Sequence, residues 1–234
     1  VEVATSRITG LEALVRWRSP ELGMVPPNDF VPLLEETGLI LDVGKWVMRQ
    51  ALKDYCRWQA AKLDPPRIAV NISPLNLREE NFATDVKQLA SLQGASMLQL
   101  DLEITEGLIM QDIDYAIATL ESLKSAGIGI AIDDFGTGYS SLGYIARLPV
   151  NSLKVDRSFI AGMTNSPHNM TIVSTIISLA HCLGLKVVAE GVETQEQLQL
   201  LKLLRCDEMQ GYLFSPALPA DEIEHLFASR GKAQ

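Results

Sequence analysis

The sequence contains few cysteines, and their spacing does not match a known framework. There are three among 234 residues, Cys56, Cys182 and Cys206, an odd number without a CxxC pair. This pattern argues against a disulfide framework and against a zinc site built from thiolates. We therefore expect buried thiols in the reducing environment of a cytoplasmic domain.

Basic residues and long hydrophobic runs are also scarce. Lys and Arg number 20 against 29 Asp and Glu, so the formal net charge is −9. This charge argues against binding to the phosphate backbone of a nucleic acid duplex. No apolar run reaches the about 18 residues that cross a bilayer, so we expect no direct membrane insertion by this domain. Any membrane anchor would lie elsewhere in a longer parent protein.

Histidine is the third scarce residue type. His168, His181 and His225 fall in predicted helices or helix starts, where we expect surface or packing roles. Without a catalytic histidine or cysteine, any hydrolysis by this chain would depend on metal-activated water.

Apolar residues are abundant, and they alternate between short strand-like runs and longer amphipathic segments. They make up 47% of the chain, which is enough for one large core. The pattern predicts strands at residues 8–17, 67–73, 97–106, 128–132, 152–156 and 185–190, and a short strand ending near Gln210. It predicts helices at residues 28–36, 42–61, 82–92, 112–126, 139–147, 169–183, 195–204 and 220–228.

All seven predicted strands carry a polar side chain at or near the carboxyl end. The alternation of strands and helices is typical of a mainly parallel sheet, either open and doubly wound or closed into a barrel. The outer strands of an open sheet lie too far apart to share one site, whereas the strand ends of a barrel converge on one mouth. We therefore predict an α/β fold, a TIM-like (β/α)8 barrel. The polar residues are Glu12, Asn71, Glu103, Asp133, Lys154, Glu190 and Gln210.

A (β/α)8 barrel needs eight strands, and the sequence predicts seven. Because the chain begins almost directly on its first polar strand, we expect the missing strand to lie before Val1. No linker-like segment divides the chain. Residues 1–234 are therefore expected to form a single domain that is an N-terminally truncated excerpt of a longer protein.

The candidate ligands at the strand ends, two Glu, one Asn and two adjacent Asp, all offer oxygen atoms and include no thiol or imidazole, which suits Mg2+ or Mn2+. Two such ions bridged by one carboxylate are a common device for cleaving a phosphodiester. Asp133 could supply the bridge and Asp134 a ligand to the second ion. Lys154 could hold the water or the developing negative charge. Glu190 could accept a proton or bind the second ion, and the sequence leaves both roles open.

The loop Gly136-Thr137-Gly138 follows these carboxylates. Its spacing differs from that of a P-loop, and no GxGxxG follows any strand, which argues against a nucleotide triphosphate or Rossmann site. Two interpretations stay open, a flexible loop that moves over the metals and a tight strand-to-helix connection.

The ordered set of motifs resembles the EAL-domain phosphodiesterases, which cleave the bacterial second messenger cyclic di-GMP in biofilm signalling. The resemblance covers essentially the whole chain. Residues 133–142 match the DDFGTGYSSL loop of that family without a change. The other matching motifs are Glu12-Ala13-Leu14 with Arg16, Asn71-Ile72-Ser73, Glu103-Ile104-Thr105-Glu106, Lys154-Val155-Asp156, Glu190-Gly191-Val192-Glu193 and Gln210-Gly211-Tyr212.

The resemblance implies metal-dependent hydrolysis of cyclic di-GMP to linear pGpG, with two ions per site, Mg2+ or Mn2+. Glu190 is implied as the general base or a ligand of the second ion, and Lys154 as the residue that orients water. Glu106 would brace the mobile loop. One ion would be held by Glu12, Asn71, Glu103 and Asp133, the other by Asp133, Asp134 and Glu190; the substrate would contact Leu14, Arg16, Asp156, Glu193 and Gln210.

The resemblance also has implications for the rest of the barrel and for the parent protein. The strand expected before Val1 runs antiparallel to the others in the family. A homodimer is implied, as are upstream sensory or diguanylate cyclase-like domains.

Two other classes of protein share some of these features. A catalytically inactive EAL domain would act as a cyclic di-GMP receptor or interaction module, but here every ligand position is retained. A barrel lyase or enolase-type enzyme could also carry acidic strand ends, and would act on a carbon acid with a Lys or His base. Such an enzyme would show no turnover of the cyclic dinucleotide.

Overall fold

The computed structural model describes residues 1–109, 112–138 and 142–230. The start of the helix predicted at residues 139–147 and part of the motif loop therefore lie outside the described residues. The strands are β1 (Gly10–Ala13), β2 (Trp17–Ser19), β3 (Gly23–Val25), β4 (Arg67–Ile72), β5 (Leu100–Thr105), β6 (Gly129–Phe135), β7 (Ser152–Val155), β8 (Lys186–Ala189) and β9 (Glu208–Met209).

The helices follow most of these strands and cover the outer face of the sheet. They are α1 (Pro27–Thr37), α2 (Ile40–Ala60), α3 (Pro74–Leu77), α4 (Phe82–Leu92), α5 (Glu106–Ile109), α6 (Ile113–Ser125), α7 (Leu142–Ile145), α8 (Arg157–Gly162), α9 (Pro167–Cys182), α10 (Gln195–Leu203) and α11 (Ala220–Arg230). No helix in the described part of the chain is long and apolar enough to cross a membrane.

Seven strands form one sheet in the order β1-β4-β5-β6-β7-β8-β9, and every neighbouring pair is parallel. Lys154 on β7 lies 3.6 Å from Glu12 on β1, although four strand spacings separate these strands in the sheet. At about 4.8 Å per spacing, a flat sheet would hold them far apart. The sheet is therefore curled, and the predicted α/β barrel-like fold with seven parallel strands is confirmed.

The first residues of the chain pair with the last strand of the sheet. Glu2 forms an antiparallel bridge with Glu208, and the Met209 N–H donates to the Val1 carbonyl at 2.7 Å. The Glu2 N–H donates to the Arg7 carbonyl at 2.9 Å, which ties this segment back toward β1. An antiparallel strand was expected only before Val1. The pairing of Val1–Val3 with β9 was not predicted, because three residues are too few to show a period-two pattern in the sequence.

The strand predicted at residues 8–17 is divided in the structure. β1 ends at Ala13, and Trp17 begins β2, which pairs antiparallel with β3. The left-handed φ of 73° at Gly23 permits the tight turn between β2 and β3. The prediction of one continuous strand was wrong because the chain leaves the barrel wall between Ala13 and Trp17.

Alternate residues of each barrel strand face outward into the helices or inward toward the axis. The outward residues of β4, Ile68, Val70 and Ile72, are buried in the main apolar core. Inward residues surround a partly open cavity of about 510 Å3 that has Glu12, Glu103 and Lys154 in its lining. The fold thus buries apolar side chains under the helices and leaves polar side chains to meet inside the barrel.

Candidate active site

The polar residues predicted at the strand ends do come together inside the curled sheet. Glu12, Asn71, Glu103, Asp133 and Lys154 lie on successive barrel strands, while Glu190 and Gln210 directly follow β8 and β9. The parallel register places Asn71 beside Glu103 and Asp133 beside Thr105. Since all strands run in one direction, their carboxyl ends meet at one mouth.

Lys154 is the centre of this cluster. Its ammonium lies 2.7 Å from carboxylate oxygens of Glu103 and Glu190, 3.2 Å from Asp133 and 3.6 Å from Glu12. The residue is 2% exposed. Burial alone would lower the pKa of Lys154, but the surrounding carboxylates raise it above its ordinary value, so the ammonium remains charged.

Glu12 connects the first and last strands of the sheet. One of its oxygens accepts a hydrogen bond from the Asn71 amide at 2.7 Å, and the other accepts one from the Gln210 amide at 2.5 Å. Burial raises the pKa of Glu12, but Lys154 and these amides outweigh burial and lower it. Glu12 is therefore held as a carboxylate.

Glu190 differs from Glu12 in its ionisation. Burial raises the pKa of the Glu190 carboxyl to about 7, even though Lys154 lies beside it and acts in the opposite direction. Burial is also the largest cause of the raised pKa of Glu103. A carboxyl group with a pKa near 7 can both accept and release a proton at neutral pH.

Asp133 and Asp134 reach the same site although they are adjacent in a strand. Neighbouring strand residues normally point to opposite faces. Here the register between β6 and β7 is irregular between Ile132 and Phe135, and Asp134 has a left-handed φ of 52°. This irregularity turns both carboxylates toward the mouth, which the sequence alone did not explain.

The described residues fit a hard divalent cation. Asp133, Asp134 and Glu190 each offer a carboxylate oxygen, and these three atoms lie within 4.8 Å of one another. Oxygen donors at such separations suit Mg2+ or Mn2+. Glu12 and Glu103 are joined to this trio through Lys154.

Glu106 lies beneath the loop that follows β6. Its side chain is buried, and one carboxylate oxygen accepts the Gly136 N–H at 3.3 Å. A Cβ atom at Gly138 would come within 2.8 Å of the same carboxylate. Glu106 is therefore in direct contact with the described part of the loop, while residues 139–141 lie outside the described residues.

The residues predicted to bind substrate occupy the same end of the sheet but differ in their contacts. Gln210 belongs to the cluster through Glu12. Asp156 caps α8 by accepting the Ser158 N–H at 3.1 Å, and lies near enough to contribute to the raised pKa of Asp134, after burial and Asp133. The remaining three follow β1 or β8 and are exposed: Leu14, Arg16 and Glu193.

Gln197 was missed in the sequence analysis. It is a buried polar residue on α10 that hydrogen-bonds to the loop after β8. Thr194 and Gln197 form a capping box at the start of α10. The Thr-x-x-Gln spacing was the available sequence signal.

Comparison with known proteins gives consistent matches. The EAL domain family model matches residues 1–217. Cyclic di-GMP phosphodiesterase NbdA of Pseudomonas aeruginosa is 44% identical over 222 residues, covering 95% of this chain and 28% of NbdA. Bifunctional diguanylate cyclase/cyclic di-GMP phosphodiesterase MucR of the same organism is 41% identical over 214 residues, covering 92% of this chain and 31% of MucR. The chain thus spans less than a third of the length of these curated relatives.

A solved structure of the PaMucR phosphodiesterase in complex with c-di-GMP matches with a TM-score of 0.90 and 40% sequence identity. The match covers 93% of this chain and 88% of that chain. The similarity therefore extends over most of this chain.

Proposed function

Because this chain belongs to the EAL domain family, we propose that it is a cyclic-guanylate-specific phosphodiesterase that hydrolyses cyclic di-GMP to linear pGpG. The observation that carries this proposal is the meeting of five carboxylates at the mouth of the barrel, four of them within 3.6 Å of the Lys154 ammonium. Support also comes from relatives that are themselves named cyclic di-GMP phosphodiesterases.

The charges of the cluster favour two divalent ions. Five carboxylates and one ammonium leave four negative charges when all are ionised, which two divalent cations would balance. When bound, such ions activate water and stabilise the attacking and leaving oxygens of the phosphodiester. Mg2+ or Mn2+ would be held by two sets of residues that share Asp133: Glu12, Asn71 and Glu103 in one, Asp134 and Glu190 in the other.

Glu190 would accept a proton during the reaction, and Lys154 would stabilise the developing negative charge. In hydrolysis, the water oxygen bonds to phosphorus, one bond from phosphorus to a ribose oxygen breaks, and the released hydroxyl takes a proton. Glu190, which lies beside Lys154 and the proposed metal ligands Asp133 and Asp134, would accept the proton of water. The Lys154 ammonium, 2.7 Å from Glu190, is placed to orient that water and to stabilise developing negative charge.

The rim of the mouth would bind the dinucleotide. We assign this role to Leu14, Arg16, Asp156, Glu193 and Gln210, which all follow barrel strands. Arg16 supplies the positive charge that a phosphate or a guanine acceptor would meet. Glu106 would hold the loop after β6 over the metals through its contact with Gly136.

The setting of the domain is part of the same proposal. We place residues 1–234 as one cytoplasmic EAL domain within a longer protein that carries sensory or diguanylate cyclase-like domains upstream. The combined name of MucR supports the cyclase-like arrangement. We further propose that the domain acts as a homodimer.

The proposal is tested by measuring conversion of cyclic di-GMP to pGpG with Mg2+ or Mn2+. We expect turnover by the wild type, and a loss of about 100-fold or more in the Asp133→Asn variant, because the shared carboxylate is removed. Asp101→Asn is the matched control, since Asp101 lies on β5 at the other end of the barrel and pairs with Arg67. It should retain most of its turnover per folded molecule.

Three results would contradict parts of the proposal. Full turnover by Asp133→Asn would refute the metal assignment. Tight binding of cyclic di-GMP by the wild type without turnover would favour the inactive receptor. Absence of both would refute the cyclic dinucleotide as substrate.

A further inference from the structure

Gln197 is a buried polar residue outside the carboxylate cluster, and its side chain uses both ends of the amide. It is 5% exposed and lies in the first turn of α10. Its oxygen accepts two backbone N–H groups and its nitrogen donates to one backbone carbonyl. Hydrogen bonds at both ends of a buried amide hold the backbone groups that they join in fixed relative positions.

The oxygen of Gln197 holds the loop that carries Glu190. It accepts the Glu193 N–H at 2.7 Å and the Thr194 N–H at 2.9 Å. The loop between Glu190 and Glu193 is thereby anchored at its far end to the start of α10.

The nitrogen of Gln197 reaches a different strand-end segment. It donates to the Ile160 carbonyl at 3.2 Å, within α8. α8 begins directly after β7 and is capped by Asp156. One side chain therefore ties the segment after β8 to the segment after β7, the strand that carries Lys154.

The same two segments are also in close backbone contact. Gly191 has a left-handed φ of 67°, and a Cβ atom there would come within 2.6 Å of the Arg157 Cβ. The Glu190 N–H donates to the Val155 carbonyl at 3.1 Å. The loop after β8 therefore packs directly against the start of α8. Gln197 anchors the end of this loop at Glu193 and Thr194.

We propose that Gln197 is a positioning residue that sets the place of Glu190 relative to Lys154. The inference rests on the proposed function of Glu190. By fixing the loop after β8 against α8, Gln197 keeps the Glu190 carboxylate 2.7 Å from Lys154 and within 4.8 Å of Asp133 and Asp134. Residues that orient metal ligands from outside the site commonly contribute about 10–100-fold to metal affinity or activity.

The Gln197→Glu variant separates the two ends of the amide. A carboxylate can still accept the Glu193 and Thr194 N–H groups, but it cannot donate to the Ile160 carbonyl and would repel it. Thr194→Ala is the matched control. It removes a cap of α10, because the Thr194 hydroxyl accepts the Gln197 N–H at 3.2 Å, and it leaves the bond to Ile160 in place.

The experiment measures Mn2+ affinity by calorimetry without nucleotide, kcat and KM for cyclic di-GMP, and Tm, for the wild type and both variants. We expect Gln197→Glu to lower Mn2+ affinity and kcat by about 10-fold each. Thr194→Ala should lower Tm by about 3 °C with affinity and kcat close to wild type. If Gln197→Glu does not fold, the uncharged and similarly sized Gln197→Met should give the same loss of affinity.

Wild-type affinity and kcat in the Gln197 variants, or equal losses in Thr194→Ala, would overturn the positioning role. A wild type that binds Mn2+ but does not hydrolyse the nucleotide would overturn the proposed function alone, and the comparison of affinities would still decide the role of Gln197. A wild type that binds no Mn2+ would overturn both.

Discussion

Lys154 determines the electrostatics of the site at the scale of single residues. Taking several carboxylates out of water is costly unless a positive charge lies among them. Lys154 supplies that charge within 3.6 Å of four of them, and its own side chain is almost fully buried. The pKa of Glu12 is lowered and that of Glu190 is raised. The difference follows because Glu12 accepts two amide hydrogen bonds in addition to its interaction with Lys154.

The raised pKa of Glu190 predicts a pH dependence of folding stability. Between its ordinary pKa of 4.5 and about 7, the folded protein holds a proton that the unfolded chain releases. The resulting stabilisation is complete below the unfolded pKa and is lost as the pH rises through about 7. From pH 5 to pH 8 the loss from this residue is about 2 kcal/mol.

Urea denaturation with EDTA at both pH values measures this effect. Glu190→Gln cannot titrate, so its unfolding free energy should fall less than that of the wild type over the same interval. Glu193→Gln, at an exposed position in the same loop, should behave like the wild type. Equal pH dependence in the wild type and Glu190→Gln would refute the raised pKa.

β6 shows how one element serves both ends of the barrel. At its carboxyl end the irregular register and the left-handed Asp134 bring two carboxylates to the mouth. At its amino end Gly129 lies against Asp101, whose carboxylate accepts a hydrogen bond from Arg67 at 2.6 Å. The Arg67 guanidinium also donates to the Leu100 carbonyl at 2.7 Å. The absent side chain at Gly129 therefore leaves room for an ion pair that joins neighbouring strands.

The Gly129→Ala variant should be destabilised. A Cβ atom there would collide with the Asp101 carboxylate, so the ion pair must move or the strand must shift. We expect a loss of about 1–3 kcal/mol in unfolding free energy. Gly10→Ala is the control, because its nearest contact would be the Arg67 carbonyl at an ordinary 3.8 Å. Equal unfolding free energies of the two variants in urea denaturation would contradict this account of the contacts at the amino end of β6.

The curvature of the sheet decides the site at the scale of the whole molecule. The Gln210 amide donates to Glu12 across the two ends of the sheet, although the two residues are 198 positions apart in the chain. The segment at Val1–Val3 pairs with β9, one of the two end strands of the sheet. The last strand therefore contacts this segment and, through Gln210, also contacts the predicted metal ligand Glu12.

The proposed dimer makes a prediction for the whole molecule. If the loop after β6 relays contacts between subunits to the metals through Glu106, specific activity and Mn2+ affinity should both fall on dilution to the monomer. Sedimentation velocity gives the dimer fraction at each concentration, and added albumin controls for surface loss. Equal activity and affinity in monomer and dimer would contradict this relay.

The donors and their places along the chain are encoded in short stretches of the sequence. Buried strands have a period-two pattern and a polar end, so the strand-end residues from Glu12 to Gln210 could be predicted without coordinates. Parallel strands that all end on polar groups also predicted the convergence. These features are local, and each is encoded within a few consecutive residues.

The interactions among those donors depend on how the chain folds in three dimensions. That Lys154 lies among four carboxylates depends on the curl of the sheet, which no local pattern encodes. The turn of Asp134 toward the mouth depends on an irregular pairing between β6 and β7. Gln197 forms hydrogen bonds with backbone groups of two segments, and the partners of such bonds cannot be identified from residue types in the sequence. The physical reason is the same in each case, because the deciding contact, such as that of Gln197 with Ile160, joins residues that are far apart in the chain and is fixed by packing.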